Sequence, residues 1–387
     1  MRKLEELIER LCPNGVEYKC LSDITKALKK GTLKTTDLVN DGKYPVINSG
    51  REIYGHYNNF NNEGNAITFA ARGEYAGVIN YFNEKFWAGG LCYPYTSIDE
   101  NKLNTKYLYY FLKSKEKHIM ETLVARGSIP ALNKSDLDKY KVVVPPLEVQ
   151  CEIVHILDDF TLLSAELSAE LKARKNQYNY YRDKEMLNAK NVVKYKLNEI
   201  AKIYDGTHQT PKYTDSGIDF ISVENIKDIY NSKKYISVED YNKYKIKPKL
   251  NDIFMTRIGT IGKCTVFNKQ KDLAYYVSLA LIRPNNDIVD SYYLKYLIES
   301  IIGIKELRKR TLVNAVPIKI NKDDIGKLVL PIPPLEEQKR IVNILDRFDK
   351  LCNDISEGLP AEIEARKKQY EYYRDKLLTF KELKVNE

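Results

Sequence analysis

Histidine and cysteine, the residues that most often bind transition metals, are sparse and scattered in this sequence. They form no CxxC pair and show no spacing typical of a metal cluster. The positions are His56, His118, His155 and His208, with Cys12, Cys20, Cys92, Cys151, Cys264 and Cys352. The pattern argues against a zinc site or a disulfide framework, and it predicts reduced thiols in a cytosolic protein.

The sequence also lacks any apolar run long enough to span a membrane. Its first segment, MRKLEELIERLCPNG, predicts a charged amphipathic helix that stops at Pro13. That segment has no apolar stretch of the kind found in signal peptides. We therefore expect a cytoplasmic protein without a membrane partner.

Motifs of DNA-modifying catalysis are missing as well. There is no GxGxxG, and both Pro-Pro pairs follow Val144 or Ile332 rather than Asn or Asp, so neither half of an adenine-methyltransferase site is present. GTIGKC, starting at Gly259, lacks the spacing and the Ser or Thr of a phosphate-binding loop. Glu170-Leu171-Lys172 resembles a nuclease ExK motif but lies within a predicted long helix. We predict no catalytic residues and no metal site.

Length and charge leave room for a large binding protein. The 387 residues suffice for two or three domains with hydrophobic cores, and 30% charged residues indicate a globular chain. A net charge of +9 favours a polyanionic partner, nucleic acid first, without demonstrating one.

A long internal repeat organises the chain. PPLEVQCEIVHILDDF begins at Pro145, and PPLEEQKRIVNILDRF begins at Pro333. Upstream, Ile129-Pro130 pairs with Val316-Pro317. Downstream, ARKNQYNYYRDK pairs with ARKKQYEYYRDK, and the second copy is four residues longer, within SEGLPAE. The repeat indicates a duplicated module, a mixed globular unit followed by a long helix.

Apolar spacing in the first copy predicts one helix of about 60 Å over residues 148–187, which contain no Gly or Pro. Its seam is Val149, Ile153, Ile156, Phe160, Leu163 and Leu167. This heptad spacing favours pairing with the second helix over two helices each lying on its own domain. In the second copy, Gly358-Leu359-Pro360 should end or kink the helix, so we expect the insertion to form a loop.

The globular units should combine short strands with one amphipathic helix each, near residues 106–115 and 291–300. Strands are predicted within residues 44–50, 66–73, 219–226 and 275–282.

The doubled PPLExQxxIvxILDxF, each copy followed by ARKxQYxYYRDK, resembles the specificity (S, HsdS) subunit of type I restriction-modification enzymes. The resemblance covers essentially the whole chain and implies an α+β (mixed α/β) fold with a pseudo-two-fold internal repeat. Two target-recognition domains, at 1–144 and 190–332, would each precede a spacer helix, at 145–189 and 333–387. The two helices would form an antiparallel coiled coil.

The resemblance also implies the function and the partners. Each recognition domain would bind one half of a bipartite double-stranded DNA target, with the helices setting the gap and docking two methylation (M) subunits and, through the complex, restriction (R) subunits. The chain itself would be non-catalytic and carry no cofactor. S-adenosylmethionine, ATP and Mg²⁺ would belong to the partner subunits. The alternative is a structural coiled-coil adaptor that does not recognise DNA.

Candidate DNA contacts are polar and basic residues in predicted loops, because such side chains donate to phosphates and base edges. They are Asn48, Ser49, Arg51, Arg72 and Lys85 in the first unit, and Thr207, His208, Gln209, Lys212, Thr256, Arg257 and Lys263 in the second. Arg72-Gly73 and Arg257-Ile258-Gly259 are predicted to occupy corresponding places. The alternative for any of them is an ordinary surface residue.

Candidates on the helices serve helix packing or M-subunit docking. They are Ile153, Ile156, Phe160, Tyr178, Tyr181, Ile341, Ile344, Phe348, Tyr370 and Tyr373. For the tyrosines and the nearby Arg174, Arg182, Arg366 and Arg374, packing between helices is favoured over a basic patch that contacts DNA.

Overall fold

A computed structural model of the chain describes residues 2–353 and 358–383. The first globular part runs from the N-terminal helix, which ends before Pro13 as expected, to the strand that precedes the first long helix. Its elements are α1 (Arg2–Leu11), β1 (Glu17–Cys20), α2 (Leu21–Ile24), β2 (Thr25–Ala27), β3 (Tyr44–Ile47), β4 (Gly55–Tyr57), β5 (Ala66–Ala70), β6 (Ile79–Phe82), β7 (Trp87–Ala88), β8 (Cys92–Ser97), α3 (Thr105–Ser114), α4 (Glu116–Thr122), β9 (Val124–Ala125), β10 (Ala131–Leu132), α5 (Lys134–Asp138) and β11 (Lys141–Val144).

These strands form two main sheets and two pairs. The larger sheet is antiparallel in the order β2-β8-β5-β6, and the smaller has the order β4-β3-β7, with β3 parallel to β7. Strands β1 and β11 pair antiparallel, as do β9 and β10. Buried residues of β5 pack against α3, which Asn104 caps by accepting from the backbone N–H groups of Lys106 and Tyr107.

The first long helix is α6 (Leu147–Asn188), a single helix of 42 residues. It is about 63 Å long at 1.5 Å per residue. The uninterrupted helix predicted over residues 148–187 is confirmed. No described helix is both long enough and apolar enough to cross a membrane.

The second globular part follows α6. Its elements are β12 (Val193–Lys196), α7 (Leu197–Ile200), β13 (Ala201–Asp205), β14 (Ile218–Ile221), β15 (Tyr235–Ile236), α8 (Val238–Asn242), β16 (Ile253–Thr256), β17 (Cys264–Val266), β18 (Leu273–Tyr275), β19 (Leu279–Pro284), α9 (Ser291–Glu299), α10 (Ile301–Arg308), α11 (Lys322–Gly326) and β20 (Val329–Ile332). Short 3₁₀ turns lie at Thr35–Asp37 in the first part and Val223–Asn225 in the second.

The second part repeats the strand order of the first. Its four-stranded sheet is β13-β19-β16-β17, its three-stranded sheet is β15-β14-β18 with β14 parallel to β18, and β12 pairs with β20. Each sheet thus has a counterpart of the same order in the first part. The mixed α/β class is confirmed.

The strands cover only part of each of the four predicted runs, and two of the runs contain a turn. The run at 275–282 is not one strand, because β18 ends at Tyr275 and a turn, closed by a hydrogen bond from Leu279 N to Tyr276 O, connects it to β19. The run at 219–226 ends as a strand at Ile221, since Asn225 accepts from Ser222 N at 3.1 Å and closes the 3₁₀ turn. In both places a change of sheet or direction replaces the alternation that suggested a continuous strand.

The second helical segment consists of α12 (Leu335–Asn353) and α13 (Leu359–Leu377). Pro360 lies in the first turn of α13, where a missing N–H costs nothing. Residues 354–357, which include part of the predicted insertion loop, lie outside the described residues.

By its internal contacts the chain divides into two units, Met1–Leu167 with Ile363–Glu387, and Ser168–Glu362. Each unit contains one globular part, a portion of α6 and a portion of the second helical segment. The predicted division into four parts, at residues 144, 189 and 332, stays a prediction. The two compact units each combine one globular part with portions of both helical segments.

Candidate nucleic-acid interface

The turn between β5 and β6 carries Arg72 and Gly73. The Arg72 side chain is exposed, and its backbone bridges Ala131. Gly73 has φ +93° and donates its N–H to Pro130 O at 2.9 Å. A Cβ at Gly73 would meet no atom within 4 Å, so the positive φ, which L side chains rarely adopt, is what favours glycine here. The predicted exposed arginine beside a tight turn is present in the first unit.

The matching turn of the second unit lies between β16 and β17. Gly259 N donates to Ile318 O at 2.8 Å, as Gly73 N does to Pro130 O, and Ile258 bridges Lys319. One residue earlier, Arg257 O accepts from Ile320 N, as Ala71 O accepts from Leu132 N. The register therefore matches Arg257 with Ala71 and Arg72 with Ile258. The two stretches thus correspond through Gly73 and Gly259, whereas the arginines within them are offset by one residue.

Arg257 is a buried structural residue. Its side chain is 8% exposed, forms an ion pair with Asp205, and donates through Nε to Ile320 O at 3.2 Å. Thr256 is fully buried, and its Oγ1 accepts from Lys263 N at 3.0 Å. The structure corrects the predictions for Thr256 and Arg257, because neither side chain is open to a duplex. Lys263 itself is exposed.

In the first unit, Asn48 supports a second turn. Its Oδ1 accepts from Leu91 N at 2.9 Å, and a Cβ at Gly89 would lie 2.5 Å from that oxygen. Asn48 also lines an open cavity of about 320 Å³, together with Thr32, Leu33, Val46, Tyr54, Gly89, Gly90 and Leu91. The amide thus has a structural role, although the cavity beside it is open to solvent.

Of the other first-unit candidates, Arg51 and Lys85 lie at the surface with partners of their own. Ser49 is half-buried, and the exposed Arg51 lies 4.0 Å from Glu116. Lys85 pairs with Glu63 at 3.0 Å and stands 4.2 Å from the Phe60 ring centre. Both ion pairs are partly exposed and therefore weak, so these cations remain available to phosphates.

Thr207, His208, Gln209 and Lys212 share the loop after β13. Thr207 bridges Tyr276 at the end of β18, and its Oγ1 accepts from Gln209 N at 3.3 Å. His208 is exposed, with Nε2 3.9 Å from Asp205 Oδ2. Gln209 and Lys212 are also exposed. The structure therefore brings these four residues together at the surface.

The first unit has an equivalent loop that the sequence reasoning missed. Gly31 bridges Gly89 beside β7, as Thr207 bridges Tyr276 beside β18. This places Lys30, Thr32 and Lys34, all exposed, at the matching surface. The available signal was the Gly-Thr pair shared by KKGTLKT and YDGTHQT.

A buried glutamine joins each long helix to its own globular part. Gln150 is fully buried, accepts from Asn104 N at 2.8 Å, and donates to Lys102 O and Pro145 O. Gln338 is equally buried, accepts from Asp290 N at 2.7 Å, and donates to Ile288 O and Pro333 O. The glutamine shared by both copies of PPLExQ thus forms hydrogen bonds with three backbone groups at the start of each helix.

A tyrosine and an aspartate form a second joint. Tyr110 Oη donates to Asp158 at 2.5 Å, where Lys106 also pairs with the carboxylate at 2.7 Å. Tyr296 Oη donates to Asp346 at 2.6 Å. Burial, with the aspartate bond in addition, raises the pKa of each phenol well above its ordinary value, so both are neutral donors. The repeated LDxF motif supplies both aspartates.

The predicted seam divides its contacts between the domain and the other helix. Val149 and Ile153 are buried in the first unit's core and Ile156 packs against it, so this stretch of α6 lies on its own domain. Phe160 instead stacks on Tyr373 at 5.7 Å and contacts Tyr370 at 6.4 Å. Along α6, the stretch around Val149 and Ile153 thus packs on the globular part, and Phe160 contacts two rings of α13.

The second unit shows the same arrangement. Ile341 is buried in its core and Ile344 is half-buried. Tyr181 stacks on Phe348 at 5.4 Å, and Tyr178 packs edge-on against Tyr296 at 6.4 Å. Tyr181 thus contacts the second helical segment, whereas Tyr178 contacts α9 of the globular part.

The arginines of the repeated segment bind neighbours on their own helices. Arg182 and Arg374 lie over Tyr178 and Tyr370, at 5.6 and 5.9 Å, and each pairs with the following aspartate. Arg174 pairs with Glu170 at 3.4 Å, and Arg366 donates to Gln369 at 3.0 Å. Within residues 2–353 and 358–383, no group of three His, Cys, Asp or Glu side chains is placed to hold a metal ion.

The chain is similar to known proteins in both sequence and fold. The family described as "Type I restriction modification DNA specificity domain" matches twice, at residues 13–174 and 189–365. The chain is 31% identical to the type I restriction enzyme EcoR124I/EcoR124II specificity subunit of Escherichia coli, covering 98% of this chain and 97% of that one.

Two solved structures share the fold. One is the S subunit of a type I restriction-modification system from M. genitalium, with a TM-score of 0.63, 17% identity, and coverage of 94% of this chain and 96% of that one. A chain from a type I R-M system has a TM-score of 0.56 at 16% identity, covering 95% and 98%.

Proposed function

The chain belongs to the type I restriction-modification DNA specificity family, and on that premise we propose that it selects the DNA target of such an enzyme. Each globular part binds one half of a bipartite sequence. The observation that carries this proposal is the double occurrence of one family domain in one chain, each with the same strand order. One recognition surface per half-site follows from that duplication.

The surfaces that contact DNA are the loops that the fold brings to the ends of the strands. In the first unit they include Arg72, Lys30 and Lys34, and in the second Gln209, Lys212 and Lys263. All six side chains are exposed on loops between strands. Lysine and arginine there supply phosphate contacts, while amides and hydroxyls such as Gln209 and Thr32 contact base edges.

The helices set the distance between half-sites. Two recognition surfaces on one side of B-DNA lie about one helical turn apart, roughly 34–36 Å. We infer that α6 pairs with the second helical segment as an antiparallel coiled coil with pseudo-two-fold symmetry. The supporting contacts are Phe160 with Tyr373 in the first unit and Tyr181 with Phe348 in the second.

The same helices dock two methylation subunits, and restriction subunits join through the complex. Tyr180 and Tyr372 occupy matching positions in the repeat and are 62% and 63% exposed, in contrast to the packed tyrosines beside them. Exposed tyrosines are well suited to protein interfaces, because a large ring loses few rotamers on burial. They are the residues we expect to anchor the methylation subunits.

The chain is non-catalytic by itself and acts in the cytoplasm. S-adenosylmethionine, ATP and Mg²⁺ belong to the partner subunits that methylate and cut DNA. The support is that the sequence contains neither half of an adenine-methyltransferase site, and that the ExK-like triplet named above, Glu170-Leu171-Lys172, lies within the long helix α6.

Methylome sequencing of cells with and without the gene tests the proposal directly. We expect a split, gapped adenine-methylation motif that disappears with the gene. Its persistence would contradict the proposal. If the chain were only a structural adaptor, the assembled complex would show no DNA affinity that depends on salt concentration. A protein that contacts phosphates loses affinity as salt rises, because log K falls linearly with log salt.

A further inference from the structure

Two corresponding loops expose apolar side chains. In the second unit the loop between α10 and α11 presents Val313, 68% exposed, and Val316, 100% exposed. In the first unit the loop between β9 and β10 presents Ile129, 66% exposed. Val316 and Ile129 each precede a proline, and the two dipeptides are matched in the sequence repeat. In the hydrogen-bond register Pro130 matches Ile318, so Ile129 and Val316 lie one position apart in corresponding loops. The cluster of Val313 and Val316 in one loop, with Ile129 in its counterpart, is apolar surface of the kind that partners bury.

Backbone bonds hold both loops against the candidate DNA-contacting turns. Pro130 O accepts from Gly73 N in the first unit, and Ile318 O accepts from Gly259 N in the second. The apolar residues Ile129 and Val316 are therefore within two positions of residues hydrogen-bonded to those turns. The apolar residues therefore lie beside the turns in both units.

The charge around the loops favours a polyanion. Residues 307–322 contain five basic residues and no acidic one, namely Arg308, Lys309, Arg310, Lys319 and Lys322. Glu306 pairs with Lys309 and Arg310, whereas Arg308 and Lys319 are exposed. In the first unit, residues 122–134 contain no acidic residue; Arg126 is exposed, and Lys134 pairs with Asp138 at 2.7 Å. Basic side chains around an apolar tip complement phosphates around the floor of a DNA groove.

Resting on the proposed function, we propose that Val316 and Ile129 contact base edges in a groove of the bound duplex. The basic residues beside them contact the flanking phosphates. Apolar side chains gain nothing from phosphates, but base edges offer apolar surface, above all the thymine methyl group in the major groove. These two loops are then specificity elements, one for each half-site.

The experiment compares alanine and aspartate variants in the assembled complex. Val316→Ala and Ile129→Ala are measured by fluorescence anisotropy on a duplex carrying the methylome-defined target and on a scrambled duplex. Matched controls are Val238→Ala, 57% exposed in the second unit, and Ile98→Ala, 54% exposed in the first. Thermal melting and size-exclusion chromatography verify folding and assembly of every variant.

We expect Val316→Ala to weaken binding to the target duplex roughly tenfold, the effect of removing two buried methyl groups. Binding to the scrambled duplex and both control variants should be unchanged. Val316→Asp should weaken binding further, and more at low salt, because it places a negative charge near phosphates.

Three results would overturn the inference. Target binding by Val316→Ala and Ile129→Ala equal to that of the controls shows that the tips do not contact bases. Loss of assembly in Val316→Asp, with unchanged DNA affinity in Val316→Ala, shows a protein-docking surface instead. A wild-type complex that prefers no duplex would refute the proposed function itself, which the first two results leave intact.

Discussion

Replacing Gln338 by alanine tests how the second helical segment is joined to its globular part. The wild-type amide accepts from Asp290 N and donates to Ile288 O and Pro333 O, with no exposure to solvent. Alanine leaves one N–H and two carbonyl groups without that partner. A buried polar group without a hydrogen bond costs about 1–3 kcal/mol, and such costs are not additive. We expect the free energy of unfolding of the second unit to fall by about 3–5 kcal/mol.

Gln150→Ala removes the equivalent bonds to Asn104 N, Lys102 O and Pro145 O, so the first unit should lose a similar amount. Urea unfolding gives the overall change, and amide hydrogen exchange assigns it to a unit, since a chain of two units need not unfold in one step. In Gln338→Ala we expect faster exchange around residues 286–292. In Gln150→Ala the faster exchange should lie around residues 100–106.

The matched control is Gln270→Ala, a glutamine of the second unit in an exposed loop. Its effect should stay within about 0.5 kcal/mol, as is usual at the surface. A Gln338→Ala change no larger than that of the control would refute the reasoning that this residue holds the helix to the domain.

Three further predictions concern the candidate interface, the long helix α6 and Tyr109 of α3. Arg257→Ala should destabilise the second unit, because it leaves the Asp205 carboxylate and Ile320 O without a buried partner. Arg72→Ala should instead weaken DNA binding without changing the melting temperature. Equal melting temperatures for the two variants would contradict this prediction. Adding seven residues between Ser164 and Glu170 extends α6 by about 10.5 Å, so the methylated half-sites should move apart by up to about three base pairs. An unchanged gap in the methylome would show that the length of this helix does not set the distance between half-sites. Burial raises the pKa of Tyr109 to about 12 from its ordinary value near 10. The contribution of this tyrosine to stability is therefore present below pH 10 and falls as the pH rises toward 12. Between pH 9 and 11, Tyr109→Phe should lose less stability than wild type, and equal losses in the urea midpoint would refute the assignment.

The long helix and the two globular parts could be predicted because their signals are local. Residues 148–187 contain neither Gly nor Pro, and α6 spans Leu147–Asn188 accordingly. The amphipathic helices predicted near residues 106–115 and 291–300 are α3 and α9. Helical spacing also predicted ring packing between helices, which Tyr181, Tyr370 and Tyr373 show, whereas Tyr178 packs on the globular part.

The burial of Arg257 could not be predicted, because its partner Asp205 lies on another strand far away in the sequence. The correspondence of the two arginines failed for a related reason. Arg72 directly precedes Gly73, whereas Ile258 separates Arg257 from Gly259, so matching the two arginines with each other places the register one residue off. Only the hydrogen bonds to residues 130–132 and 318–320 define it.

The repeat preserves the hydrogen bonds between each long helix and its globular part, but it does not preserve the residues of the turns. Gln150 and Gln338 make the same three kinds of contact, and the Tyr110–Asp158 bond has its counterpart in the second unit. In the turns, by contrast, Arg72 corresponds to Ile258. A protein that places two surfaces at a set distance must keep the joints alike, because each fixes the direction of a long helix. If the surfaces bind different half-sites, the turns must differ. The distribution of identical and altered residues is therefore the one that an asymmetric, bipartite target requires.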